Sequence, residues 1–165
     1  MWHWAVRWRL ARVSGRAPTV RPSVLGGRVR DMLDPTLRDR ALVEVAESLK
    51  EVGRTLRARS PGAKVLFVDY LTLLPPPGTP APPLPDVDVA LGRRVADTLE
   101  RLTGEAAADT GCKWVRVAEA SRDHHAWSKE PWTTKPGLPL PGRPAPLHPN
   151  ADGMRAVADL VVGQA

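Results

Sequence analysis

Cysteine is almost missing from this chain: Cys112 is the single one in 165 residues. An internal disulfide is therefore excluded, and so is a structural zinc site built on cysteines. Cys112 reads as a half-buried thiol just ahead of a strand, with no base or helix N-terminus beside it to activate it. Long apolar runs are missing too, since no stretch approaches the roughly 18 residues that a membrane-spanning helix needs. The opening "MWHWAVRWRLARVSGR" is interrupted by Arg7, Arg9 and Arg12 and so lacks the apolar centre of a secretory signal. As written, the chain is expected in the cytoplasm; secretion would require a start further upstream.

Acid is missing from the first 30 residues. Seven of the 24 bases and none of the 18 acids lie there, which leaves 17 bases against 18 acids from Asp31 onward. The formal charge of +6 and the isoelectric point near 10.2 thus belong to the leader and not to the body of the chain. Within the leader, Trp2, Trp4, Val6, Trp8 and Leu10 alternate with His3, Arg7 and Arg9, a strand-like period of two. A poorly ordered basic segment over residues 1–30, followed by one domain over 31–165, is the expected organisation, and the length suits a single core. No repeats occur.

The body reads as alternating helix and strand. Asp34 is placed to cap a helix and Pro35 to occupy its first position; Leu42, Val45, Leu49, Val52 and Leu56 recur at spacings of three and four and are expected to face inward. Ser60-Pro61-Gly62 ends the helix. Val65-Leu66-Phe67-Val68 is apolar on both faces, as a central strand of a helix-covered parallel sheet must be. "PPPGTPAPPLP", residues 75–85, is a stiff loop at that strand's C-terminal end. A second helix opens at Asp86 or Asp88, carries Val89, Val95, Leu99, Leu102 and Ala106, and closes at Gly111. A short strand is predicted over 113–117. Residues 118–147 form a long connection, the kind that carries function in compact domains. The last helix starts near Ala151 with Asn150 as its cap and Met154, Val157, Ala158 and Val161 inward. The order is that of half of a doubly wound α/β sheet.

Three segments, "SLKEVGRTLRARSPGAKVLFVDYLTLLPP", "LGRRVADTLERLTGEAAADTGCKWVRVAEASRDHHAWSKEPW" and "PLHPNADGMRAVADLV", resemble the C-terminal half of the SGNH hydrolases, also called GDSL esterases and lipases, and most closely the secreted actinobacterial branch. The resemblance covers about residues 35 to 163. It implies a flavodoxin-like three-layer α/β/α sandwich with a parallel sheet, incomplete at the N-terminus. The implied chemistry is ester hydrolysis by a serine nucleophile and a histidine base. The substrate is then a small-molecule or lipid ester, with no cofactor, no metal and no nucleic-acid partner. Oligomeric state is left open.

His148, followed by Pro149, Asn150 and Gly153, matches the family's final "D-x-x-H-P" block and is the candidate general base. A base for a serine needs one fixed tautomer, and flanking prolines restrict this histidine. Where the family has its orienting aspartate, this chain has Ala145, whose backbone carbonyl becomes the candidate acceptor for the imidazole. The "G-D-S" and "G-x-N-D" blocks do not occur: Gly26-Gly27 is followed by Arg28-Val29, and Ser14, Ser23, Ser48 and Ser60 are poorly placed. The chain is therefore expected to carry the histidine half of an ester hydrolase and to be inactive alone, with no nucleophile of its own.

Two local alternatives use the long connection. One pairs Ser121 or Ser128 with a nearby histidine; the other gathers Asp123, His124, His125 and His148 around zinc, although adjacent histidines on extended chain point apart. In the secreted relatives a similar loop carries a cysteine near Trp127 paired with one near Ala81, and both are absent here. The Pro-rich stretches 75–85 and 136–146 are expected to rim the pocket. A different class of function, a non-catalytic α/β binding module gripping a partner through the basic tryptophan arm, would show binding that falls steeply with salt.

Overall fold

In the computed structural model, residues 34–137 and 145–164 are described. The basic leader, Ser14, Ser23 and most of the second Pro-rich stretch lie outside them. The chain divides into two units, residues 1–38 and 39–165. In the first, the Asp34 carboxylate accepts hydrogen bonds from the amides of Thr36 (2.8 Å) and Leu37 (3.1 Å), the expected N-cap.

Helix α1 runs Pro35–Arg59, strand β1 Leu66–Val68, helix α2 Asp86–Asp109, strand β2 Lys113–Val115, helix α3 Val117–Ala120 and helix α4 Ala151–Val162, with one 3-10 turn at Arg122–His124. The two strands are parallel, with Leu66 opposite Lys113, Phe67 opposite Trp114 and Val68 opposite Val115. A parallel pair needs a long crossover, here α2. Phe67 packs with Ala106 and Ala107 of α2, Leu49 of α1 and Trp114 on one face. Leu66, Leu71, Val115 and Val117 pack with Trp132 and with Val157, Leu160 and Val161 of α4 on the other. The result is three layers, helix, sheet and helix, as expected.

Several helix faces differ from the sequence reading. On α1, Val45, Val52 and Leu56 are exposed, while Leu42, Ala46 and Leu49 are half-covered and Gly53 is buried. The covered stripe centres on Ala46 and Gly53, which leaves Val45 and Val52 about 100° away around the helix. Gly53 sets this rotation: a Cβ there would come within 2.5 Å of Thr110 Oγ1, so only glycine lets α1 approach the end of α2 this closely. Lys50 adds an ion pair to Asp109 at 2.9 Å, which raises the lysine's pKa. On α2, Val89, Leu102 and Ala106 are buried but Leu99 is exposed. On α4, Met154 and Ala158 face solvent and Leu160 replaces them on the packed face.

Strand β2 is also shorter than predicted, because the chain turns at Arg116 and Val117 begins α3. The partner that draws it in is Asp69, just past β1. Its buried carboxylate accepts from the Ala118 amide at 2.8 Å and from Trp114 Nε1 at 2.9 Å. Strand β1 pairs only with β2 among the described residues, and Val68 and Tyr70 beyond it are exposed at 42% and 55%. Apolar surface on both faces of β1 was expected to be covered; on Val68 it is not.

Candidate active site

Because β1 and β2 are parallel, the segments following both leave the same edge of the sheet, where open α/β sheets place their ligands. Three contacts tie those segments together. The Thr72 amide donates to Ser121 Oγ at 2.8 Å, Thr72 Oγ1 donates to the Ala118 carbonyl at 2.8 Å, and the Ala126 amide donates to the Leu73 carbonyl at 3.1 Å. Ser121 is wholly buried, and its hydroxyl donates to the Val117 carbonyl at 2.7 Å. Its hydroxyl is a structural lock between the two segments, with no access for a substrate. Trp127 Nε1 donates to the Pro82 carbonyl at 2.9 Å. The two loops that the resemblance joins by a cysteine bridge in secreted relatives are thus joined here by an indole hydrogen bond.

His148 lies on a short ribbon. Residues 147–150 run antiparallel to 131–134, with a bridge between Thr133 and Pro149. The Asn150 amide donates to the Trp132 carbonyl (3.0 Å), the Thr134 amide to the His148 carbonyl (2.8 Å) and the Leu147 amide to the Thr134 carbonyl (3.2 Å). Asn150 then caps α4, accepting from the Gly153 amide at 2.9 Å while its Nδ2 donates to the Pro131 carbonyl at 2.6 Å. Gly153 sits directly against the Trp132 carbonyl, leaving no room for a Cβ.

The turn that presents the histidine is closed by the His148 amide donating to the Ala145 carbonyl at 3.3 Å. It has Pro146 second and Leu147 third, with Leu147 at φ 61°. Proline followed by a positive φ is the mark of a type II turn, normally supplied with glycine. His148 Nδ1 stands 3.0 Å from the Pro146 carbonyl. The carbonyl in contact with the ring is therefore that of Pro146. The Ala145 carbonyl expected in that place accepts instead from Thr134 Oγ1 at 2.7 Å and from the His148 amide, because the turn directs it back toward the ribbon. A carbonyl only accepts, so in the neutral imidazole this contact puts the proton on Nδ1 and leaves the lone pair on Nε2. The His148 side chain is solvent-exposed.

The other two histidines among the described residues, His124 and His125, take other partners. His124 stacks on Trp132, with ring centres 4.2 Å apart and planes 6° from parallel, and its Nδ1 meets the Glu130 carbonyl at 2.8 Å. His125 is buried; its Nδ1 accepts from the Trp127 amide at 3.2 Å, and burial lowers its pKa against a smaller opposing pull from Asp123. Among the described residues no three metal-ligating side chains come together. Beside the first Pro-rich loop, a cavity of about 530 Å³ is lined by Pro77, Thr79, Asp86, Arg93 and Arg94 among others.

Sequence reasoning passed over Thr134, the Pro146 carbonyl and Asp69. The positive φ at Leu147 left no sign in the sequence, since leucine stands where glycine would have announced the turn. Asp69, an acid next to an apolar strand, was a visible signal of a buried anchor.

The architecture is that of a flavodoxin-like α/β/α domain with a histidine presented before its last helix at the C-terminal strand edge. The chain belongs to the GDSL-like lipase/acylhydrolase family, whose model matches residues 9–156, beginning inside the basic leader. Among solved structures it is similar to phospholipase A1 from Streptomyces albidoflavus NA297, with 24% identity over 73% of this chain and 50% of that one, at a TM-score of 0.64. It is also similar to an extracellular lipase from Streptomyces rimosus, with 21% identity over 84% of this chain and 64% of that one, at a TM-score of 0.62. At these identities the likeness is one of fold. The chain spans about half to two thirds of the length of these structures. None of the curated proteins compared with the chain matches it. No helix among the described residues is long and apolar enough to cross a membrane.

Proposed function

We propose that the chain carries the histidine half of an ester hydrolase, with His148 as general base, and that residues 1–165 do not turn over esters alone. The observation that carries this reading is the Nδ1 contact to the Pro146 carbonyl. It leaves Nε2 free, exposed and able to take a proton from a hydroxyl brought within about 3 Å. A main-chain acceptor stands in for the carboxylate of a triad, so the arrangement is a dyad. Ser121, buried and fully engaged, does not serve as nucleophile. Ser128 Oγ is buried and makes no hydrogen bond within the protein, so it lacks a base to activate it. In this reading the serine is supplied from outside residues 1–165. The substrate class is a carboxylic ester, small or lipid, without a cofactor.

The test compares purified residues 1–165 with the longest in-frame product of the same locus on p-nitrophenyl butyrate and on a phosphatidylcholine emulsion. The short chain should match the buffer rate. The longer one should hydrolyse at least one of the two and lose about 10³-fold or more in kcat with His148→Ala. A longer product that hydrolyses esters equally well without His148 would refute the role of His148. A fast, His148-dependent rate from residues 1–165 would refute the absence of a nucleophile.

A further inference from the structure

The Thr134 side chain sits where the ribbon and the histidine turn meet, and it bonds to both ends of that turn. Its hydroxyl donates to the Ala145 carbonyl at 2.7 Å and accepts from the His148 amide at 3.1 Å, while its own amide donates to the His148 carbonyl at 2.8 Å. The turn's own closing bond, from the His148 amide to Ala145, is the longest of these at 3.3 Å. That bond and the Leu147 amide's bond to the Thr134 carbonyl at 3.2 Å are what the turn's own main chain sets against the tendency of a side chain with a Cβ to leave the left-handed region. If Leu147 relaxes to negative φ, the Pro146–Leu147 peptide flips and its carbonyl leaves Nδ1.

We propose that Thr134 is the positioning residue of His148: by clamping Ala145 and His148 it holds the Pro146 carbonyl on Nδ1 and so fixes the tautomer whose free nitrogen is Nε2. The proposal rests on the reading of His148 as the base. Its hydroxyl does not touch the imidazole; the path runs from Oγ1 to the turn, from the turn to the Pro146 carbonyl, and from that carbonyl to the ring. A hydroxyl is needed because both a donor and an acceptor are used, and an isosteric valine supplies neither.

The experiment is a long-range ¹H–¹⁵N correlation of the imidazole rings in the ¹⁵N-labelled full chain at pH 8, with His148→Ala assigning the signal. Wild type and Thr134→Ser should show Nδ1 protonated and Nε2 unprotonated. Thr134→Val, with its thermal midpoint measured in parallel, should lose this preference and shift toward the Nε2–H form. Should Thr134→Val not fold, Thr134→Cys keeps the volume with only a weak donor and should give a mixture. A folded Val or Cys variant with the wild-type spectrum overturns the proposal, as does a folded Thr134→Ser that loses the Nδ1–H form. The spectrum needs no ester and no serine, so its outcome stands apart from the hydrolysis assay, in which a His148-independent rate would instead sink the reading of His148 as the base.

Discussion

The carbonyl oxygen of Pro146 lies 3.0 Å from Nδ1 of His148, two residues further along the same turn. Main chain, and not a carboxylate, thereby meets the ring, and the turn's dihedral angles set that contact. Leu147, at φ 61°, is the hinge of that geometry. Replacing it with isoleucine, whose branched Cβ fits this region still less well, should cost about 1–3 kcal/mol in urea unfolding. An unchanged midpoint for Leu147→Ile would show that the turn relaxes freely.

His148 itself should matter little for stability. Its side chain is exposed, so His148→Ala is expected to change the unfolding free energy by no more than about 0.5 kcal/mol. Measuring it by chemical denaturation separates a residue kept for chemistry from one kept for packing; a loss of several kcal/mol would assign it to packing.

Gly153→Ala should do the opposite. The Trp132 carbonyl occupies the space a Cβ would need, so α4 must back away from the ribbon that carries His148. Overpacking of this kind costs about 1–3 kcal/mol, and here it also displaces the Asn150 cap. Circular dichroism melts of Gly153→Ala against wild type provide the check.

Asp69 links the ends of both strands through Trp114 Nε1 and the Ala118 amide. Truncation to alanine leaves both donors without their acceptor and should cost about 3 kcal/mol. It should also change the emission of Trp114, whose ring packs against Gly104 and beneath Arg116, 4.5 Å from the ring centre. A variant as stable as wild type would mean that the Thr72 contacts to Ser121 and Ala118 and the Ala126–Leu73 bond suffice to hold the two strand ends.

His125 sets a pH dependence. Burial lowers its pKa in the folded chain below the ordinary value near 6.5, so the unfolded chain binds the proton more readily. Its contribution to stability is then complete above about pH 6.5 and is lost as the pH falls toward the folded-state value. Thermal midpoints should decline on acidification from pH 7 to 5, and His125→Gln should flatten the part of that decline due to this ring. A His125→Gln profile parallel to wild type would remove His125 as the cause.

The order of helices and strands was legible because apolar periodicity and the stop signals at Ser60-Pro61-Gly62 and Gly111 are local. The caps at Asp34 and Asn150 were legible for the same reason, each a short polar side chain meeting amides two or three residues on. Which way each helix turned was not. Val45 and Leu49 look alike in the sequence, and only the approach permitted by Gly53 against Thr110 decides that Leu49 packs while Val45 does not.

For the candidate site, the sequence by itself determined that a histidine stands between prolines just before the last helix, with no carboxylate three residues earlier. Tertiary structure alone decided which carbonyl meets its ring. That choice depends on Thr134, eleven residues from Ala145 and fourteen from His148, closing on both through an antiparallel ribbon. Hydrogen bonds between segments so far apart leave no periodicity to read, because they are set by where the folded backbone places each donor and acceptor.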